Sequence, residues 1–379
     1  MNRKIPYDQG LIAIVLALLG FGLIMVFSTS APVSRELYGS QTAIFSRQLI
    51  AMAIGMTGLM ITMKIDYRLY QRLPVVCLLV GISFLLLGYV LQTPGNIHGT
   101  RRWLDLGPVN FQPSELAKLA VIVFTSYYLV WKKEYLDSIF RGLLPYLTVV
   151  GTIILLVLKG PDLGTALSIT ITAVFLMFIG GVRYRYFLAL AIPILPTLYF
   201  QVVRVPYRLN RVLAFLDPEK DPLGISYQIR QSLIAVGSGG WNGLGFAQGK
   251  QKLSFLPEPH TDFIYAVVGE ELGFFGCLTI LLLFSLLFWR GVRISLRADS
   301  PFGTFLGLGI VSMISFQALI NMSVALSLLP TKGLPLPFIS VGGSSIIVML
   351  SSVGILLNIS RQGSDGGDSE SWIKRNINA

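Results

Sequence analysis

Apolar residues in this chain neither alternate nor keep to one helical face. They run on in long stretches separated by short polar segments, near 10–29, 44–63, 73–92, 113–131, 143–158, 164–182, 186–203, 263–289, 303–327 and 338–360. About 20 mostly apolar residues cross a bilayer core as a helix. A spanning β-barrel would instead show alternating segments of about ten. The pattern therefore predicts an all-α polytopic membrane protein with ten transmembrane helices. One polar connection, 204–262, is far longer than the rest. Connections of that length are functional or disordered, and Tyr227, Trp241, Phe246 and Phe255 predict a loop folded against the membrane face. Residues 1–362 make one membrane domain. The Gly-rich polar stretch 363–379 is expected to be a disordered cytoplasmic tail.

Composition agrees with this division. Of 379 residues, 53% are hydrophobic and 13% charged, whereas soluble domains carry roughly 25% charged residues. Much of the surface must face lipid. The two cysteines, Cys77 and Cys277, lie inside apolar runs, and with only two His a disulfide framework or zinc site is excluded. A net charge of +11 would suit nucleic acid, but basic residues in a membrane protein collect in cytoplasmic loops. With the N-terminus inside, the cytoplasmic segments hold Lys64, Arg68, Arg72, Lys132, Lys133, Arg183, Arg290 and Arg293 among others. The opposite short loops hold Arg35, Arg47, Arg101, Arg102, Lys159 and Lys332. Both termini are then cytoplasmic, and the long loop between spans seven and eight is extracytoplasmic. The positive charge is topological, and no nucleic-acid partner is implied. The first span is an uncleaved anchor, and no internal repeat of the transporter kind is visible.

Ionisable groups inside a membrane are costly and mark function by default. Glu115 and Lys118 are three residues apart, on one helix face, and can pair. That pair either fixes helix packing or serves a substrate. Asp162 opens span six, where a helix cap is the plain role. Glu270 and Glu271 enter span eight, and one of the two is expected to face the interior, protonated if unpaired. Asp262 abuts span eight at the outer membrane boundary. Thr261 or Asp262 can cap that helix, and a partly desolvated Asp262 can equally act as a general base. Arg101 and Arg102, beside Trp103, suit either interfacial anchoring or a pyrophosphate headgroup. Prolines and glycines break the 330–345 segment, whose free N–H groups and serines could cradle an anion.

These motifs together resemble the SEDS family (shape, elongation, division and sporulation), represented by FtsW and RodA. The resemblance runs from Arg47-Gln48-Leu49 to Gly343-Ser344-Ser345 and is closer to the division branch. It rests on Arg101-Arg102-Trp103, the Gln112–Lys118 segment, Pro161-Asp162-Leu163-Gly164-Thr165, Pro257-Glu258-Pro259-His260-Thr261-Asp262-Phe263, Glu270-Glu271-Leu272-Gly273 and Pro330-Thr331-Lys332-Gly333. Val341 departs from the Tyr common at its position. The resemblance implies a peptidoglycan glycosyltransferase that polymerises lipid II on the outer face of the bacterial cytoplasmic membrane. Implied partners are a class B penicillin-binding protein and other divisome or elongasome membrane proteins. Carried onto this chain, the resemblance implies that Asp262 is the family's essential loop aspartate and that Glu115, Lys118 and Asp162 are its membrane-embedded positions.

Attack by a sugar 4-hydroxyl on the donor's anomeric carbon needs a base, and Asp262 is the choice. The departing pyrophosphate needs cations or N–H dipoles, which Arg101, Arg102, Lys332 and the Gly342, Gly343, Ser344 and Ser345 backbone could offer. Arg47, Gln112, His260, Thr261 and Ser340 complete the expected substrate-binding set. Family analogy allows a divalent cation, Mg or Mn, although no carboxylate cluster requires one. A lipid II flippase is the alternative, and a scaffold for a penicillin-binding protein a third reading. Asp262 discriminates, since flipping needs no base at the outer edge.

Overall fold

The computed structural model describes residues 7–93, 101–105, 107, 110–188, 192, 196, 199, 203–204, 206–216, 226–253, 255–331 and 333–362. Its long helices are α1 (Gln9–Tyr38), α2 (Ala43–Lys64), α3 (Leu73–Gln92), α4 (Pro113–Trp131), α5 (Leu144–Lys159), α6 (Leu163–Ile179), α9 (Ile264–Leu296), α10 (Pro301–Ala325) and α11 (Gly343–Gln362). Two shorter helices, α7 (Pro206–Leu216) and α8 (Tyr227–Gly239), lie in the long loop. Eight helices are long and apolar enough to cross a membrane, and Leu163–Ile179 is a shorter apolar helix. Every expected span is thus a helix except the seventh, 186–203, which lies largely outside the described residues, as does the expected tail 363–379.

Polar residues set the helix ends. Asp8 Oδ1 accepts from Leu11 N–H at 2.7 Å at the start of α1, and Ser300 Oγ accepts from Gly303 N–H at 3.1 Å at the start of α10. Each gives a free donor of the first turn a partner. Pro301 stands in the first turn of α10, where its missing N–H costs nothing.

α10 is the central helix: 89% of its most apolar stretch is buried, against 22% for α3. It packs against α9, α4 and α6. α2 lies along α11 at a distance that only small residues permit. A Cβ on Gly354 would stand 2.4 Å from Leu59 O. Thr62 Oγ1 crosses the same interface to donate to Ser351 O at 2.8 Å.

Hydrogen bonds from Gln48 to Ser340, from Gln112 to Ser344 and Asp162, from Ser340 to Thr261 and from Asn321 to Asp262 gather these helix ends at one end of the bundle. At the far end Arg290 pairs with Asp8 at 2.8 Å and Arg183 with Asp137 at 2.7 Å. A short antiparallel ladder, Leu104–Asp105 with Asn110–Phe111, leads into α4 at the first end.

Candidate active site

The segment before α9 carries the chemistry. Phe263, not Asp262, is the N-cap of α9, and no side chain caps it. The capping role expected for Thr261 or Asp262 is therefore overturned. Thr261 Oγ1 turns back to Glu258 Oε2 at 3.1 Å. The Asp262 main chain is bound elsewhere, its carbonyl accepting from Asn321 Nδ2 at 2.9 Å. Among the described residues none hydrogen-bonds the Asp262 carboxyl.

Burial pushes that carboxyl up to about 7, with Glu258 and Asp162 adding to the rise and Arg211 and Arg102 opposing it. Asp262 keeps part of its surface open at the residue level, so the carboxyl is enclosed by protein without being sealed from a ligand. His260 is pushed below its usual range by burial, against the pull of Glu258. Its Nε2 stands 3.9 Å from Glu258 Oε2.

Asp162 does cap α6, accepting from Thr165 N–H at 3.1 Å. Its other oxygen accepts from Gln112 Nε2 at 2.5 Å and Ser114 Oγ at 3.1 Å. Capping and contact with the α4 motif are thus combined in one carboxylate. A pocket opens beside it, apolar along Leu87, Val90 and Val157, with Arg101 and Arg102 on its polar side. Arg102 Nε is buried there without a partner.

The Glu115–Lys118 pair forms at 2.9 Å with both side chains buried. Lys118 Nζ also donates to Gln317 Oε1 at 2.7 Å, so both residues are turned into the bundle.

The 333–345 segment uses its polar groups inside the protein. Ser340 Oγ donates to Thr261 O at 2.6 Å and accepts from Leu336 N–H at 2.8 Å. Gly342 N–H donates to Gln48 Oε1 at 3.2 Å. Ser344 Oγ accepts from Gln112 N–H at 3.0 Å. Gly343 and Ser345 lie in the first turn of α11, with Ser345 buried. The expected anion cradle is in these contacts a clasp that joins 110–112 and 260–262 to α11. Arg47 is exposed and donates to Tyr38 OH at 3.1 Å. Lys332 lies outside the described residues.

The expectation for Glu270 and Glu271 is corrected, because both are buried and partnered. Glu270 Oε1 accepts from Lys250 and Gln251 N–H at 2.7 and 3.1 Å. Glu271 Oε1 pairs with buried Lys252 at 2.5 Å and accepts from Ser28 Oγ at 2.9 Å. Gly273 explains how adjacent residues both turn inward: at φ 65 and ψ −159 it interrupts α9, and residues 239–251 fold into the break.

Sequence reasoning missed Arg211, Gln317 and Asn321. The two amides are i, i+4 polar residues inside an apolar span, a signal that was open to use. Arg211, on a short loop helix with no apolar run, gave none.

Comparisons with known proteins place the chain among its relatives. A probable peptidoglycan glycosyltransferase FtsW of Trichlorobacter lovleyi is 42% identical over 358 residues, covering 94% of each chain. Stage V sporulation protein E of Bacillus subtilis is 42% identical over 364 residues, 95% of this chain and 98% of that one. Among solved structures, a chain of a peptidoglycan synthase complex coordinating polymerization and crosslinking superposes with a TM-score of 0.76 at 30% identity, over 95% of this chain and 99% of that one. The rod shape determining protein RodA of Thermus thermophilus gives 0.67 at 27% identity, over 95% and 98%. The cell cycle protein family of FtsW, RodA and SpoVE matches residues 9–365, and this chain, a multi-pass membrane protein by its helices, belongs to it.

Proposed function

We propose that this chain is a peptidoglycan glycosyltransferase that joins lipid II units at the extracytoplasmic face of the bacterial cytoplasmic membrane. The observation that carries the reading is Asp262: a carboxyl without a described hydrogen-bond partner, raised to about 7 by burial against the opposing charges of Arg211 and Arg102. A general base works best with an ordinary value near the working pH. Asp262 takes the proton of the acceptor 4-hydroxyl as its oxygen bonds to the donor's anomeric carbon. The bond from that carbon to the pyrophosphate breaks, and the lipid pyrophosphate leaves. Arg101, Arg102 and Arg211 supply the positive charge that meets it, and the apolar wall of Leu87, Val90 and Val157 suits the start of a lipid chain. Among the described residues no three His, Cys, Asp or Glu side chains gather to hold Mg or Mn, and no step here is assigned to a metal.

Charge asymmetry supports an orientation with both termini in the cytoplasm. The similarity to a chain of a polymerization-and-crosslinking complex supports a class B penicillin-binding protein as partner, within the division or elongation machinery. A flippase would need a continuous polar path across the bundle. Glu115 and Lys118 bond each other and Gln317 instead, which leaves that alternative without support.

Asp262→Asn is the direct test. General-base catalysis contributes about 10²–10⁴-fold, so polymer formation should fall by that factor while binding of labelled lipid II persists. Parental polymer yield from well-folded Asp262→Asn protein ends this mechanism.

A further inference from the structure

The carboxyl of Asp262 is left without a described hydrogen bond, yet the chain that carries it is held at three consecutive carbonyls. Val341 N–H donates to His260 O at 2.9 Å, Ser340 Oγ to Thr261 O at 2.6 Å, and Asn321 Nδ2 to Asp262 O at 2.9 Å. Asn321 Nδ2 also donates to Leu334 O at 2.8 Å. One turn earlier on α10, Gln317 Nε2 donates to Pro335 O at 2.8 Å. Residues four apart share a helix face, so one face of the central helix grips both the 334–335 segment and the residue bearing the carboxyl.

The grip has a defined sense. An ammonium group only donates, so the Gln317 oxygen must face Lys118 and its NH₂ must face Pro335. Glu115 holds Lys118 in turn at 2.9 Å. Both amides are buried; Asn321 Oδ1 has no partner of its own, but turning either amide over would set its oxygen against carbonyl oxygens, so the arrangement resists rearrangement. With no described hydrogen bond on the carboxyl itself, its aim here comes from the main chain that carries it.

We propose that Gln317 and Asn321 are positioning residues for glycosyl transfer: from the central helix they fix the main chain at Asp262 and at 334–335, so that the unpartnered carboxyl points into the site. The inference rests on Asp262 being the base. It also gives the buried Glu115–Lys118 pair a task, orienting Gln317, that needs no contact with substrate.

The test compares full-length Asn321→Leu and Gln317→Met with the parent and with Asp262→Asn, using lipid II polymerisation per folded molecule, KM, the pH–rate profile and the fraction of monodisperse protein. A misplacement of about 1 Å at a reacting group can cost about 100-fold. Asn321→Leu should therefore lose about that factor in kcat, with KM for lipid II essentially unchanged and the acid limb of the profile displaced. Gln317→Met, which leaves every contact of Asp262 itself in place, should move the same quantities in the same direction by less. If Asn321→Leu does not fold, the Gln317→Met result decides alone. Parental kcat per folded molecule, or an activity loss equal to the loss of folded protein, overturns the proposal and leaves the amides as packing groups. Those failures are separable from failure of the base assignment, because only the latter leaves Asp262→Asn at the parental rate.

Discussion

At the scale of single residues, the carboxyl of Asp262 sets a pH dependence whose sign is fixed. The group must be ionised to accept a proton. With its value at about 7, polymerisation should rise with pH through 7 and fall about tenfold per unit well below it, in kcat/KM measured from pH 5 to 9. A flat profile across that range would remove Asp262 as the titrating base. The same raised value means that the folded state holds this proton more tightly than the unfolded chain. Fold stability is then lost as pH rises from about 4 to about 7, so Asp262→Asn should fold at least as well as the parent at pH 8. Much of this site could be named from sequence because each residue, Asp262, Asp162, Glu115 or Lys118, is a charge where charge is expensive. What could not be named is whom each one meets. Asn321 and Asp262 are 59 residues apart, and no local pattern announces that contact.

Among the elements, α9 departs most from its sequence pattern. A continuous apolar run predicts a plain span, and the structure breaks it at Gly273. There Phe274 N–H donates to Gly240 O at 2.9 Å, and Leu244 and Gly245 N–H donate to Glu270 O and Glu271 O at 2.9 and 3.0 Å. The loop supplies the bonds that the interrupted helix lacks. A Cβ on Gly273 would stand 2.4 Å from Gly243 N, and the residue sits at φ 65. Gly273→Ala should therefore cost at least about 1–3 kcal/mol, seen as a lower thermal transition in detergent. Gly81→Ala, where a Cβ on α3 meets nothing within 4 Å, should leave that transition at or above the parental value. Equal transitions for the two variants would show that the break tolerates a side chain. The loop helices α7 and α8 escaped sequence reasoning because they are short, and their partners lie on α9 and beyond it rather than within their own segment.

For the whole molecule, apolar length was the legible quantity, since a span is a local property of some 20 residues. The convergence of α2, α4, α6, α9, α10 and α11 at one end depends on packing and was not. That end carries Asp262, and the far end carries the pairs Asp8–Arg290, Arg68–Asp299 and Arg183–Asp137. Cysteine-accessibility labelling in intact cells should place positions within 240–250 outside, and positions after Gln362 should react only once the membrane is opened. The reverse result would put Asp262 in the cytoplasm and end the extracytoplasmic assignment.

The buried Lys252 has a consequence for how the protein is made. It bonds Ser28 on the first helix, 224 residues earlier, and Glu271, 19 residues later. A lysine cannot settle in that apolar interior until its counter-charge is present. The loop must therefore wait for α9 to bring Glu271. Only then can residues 239–253 close into the break and carry the chain on to Asp262. A chain that stops before α9 holds the loop's buried charge without its partner, so this part of the fold depends on residues that follow it.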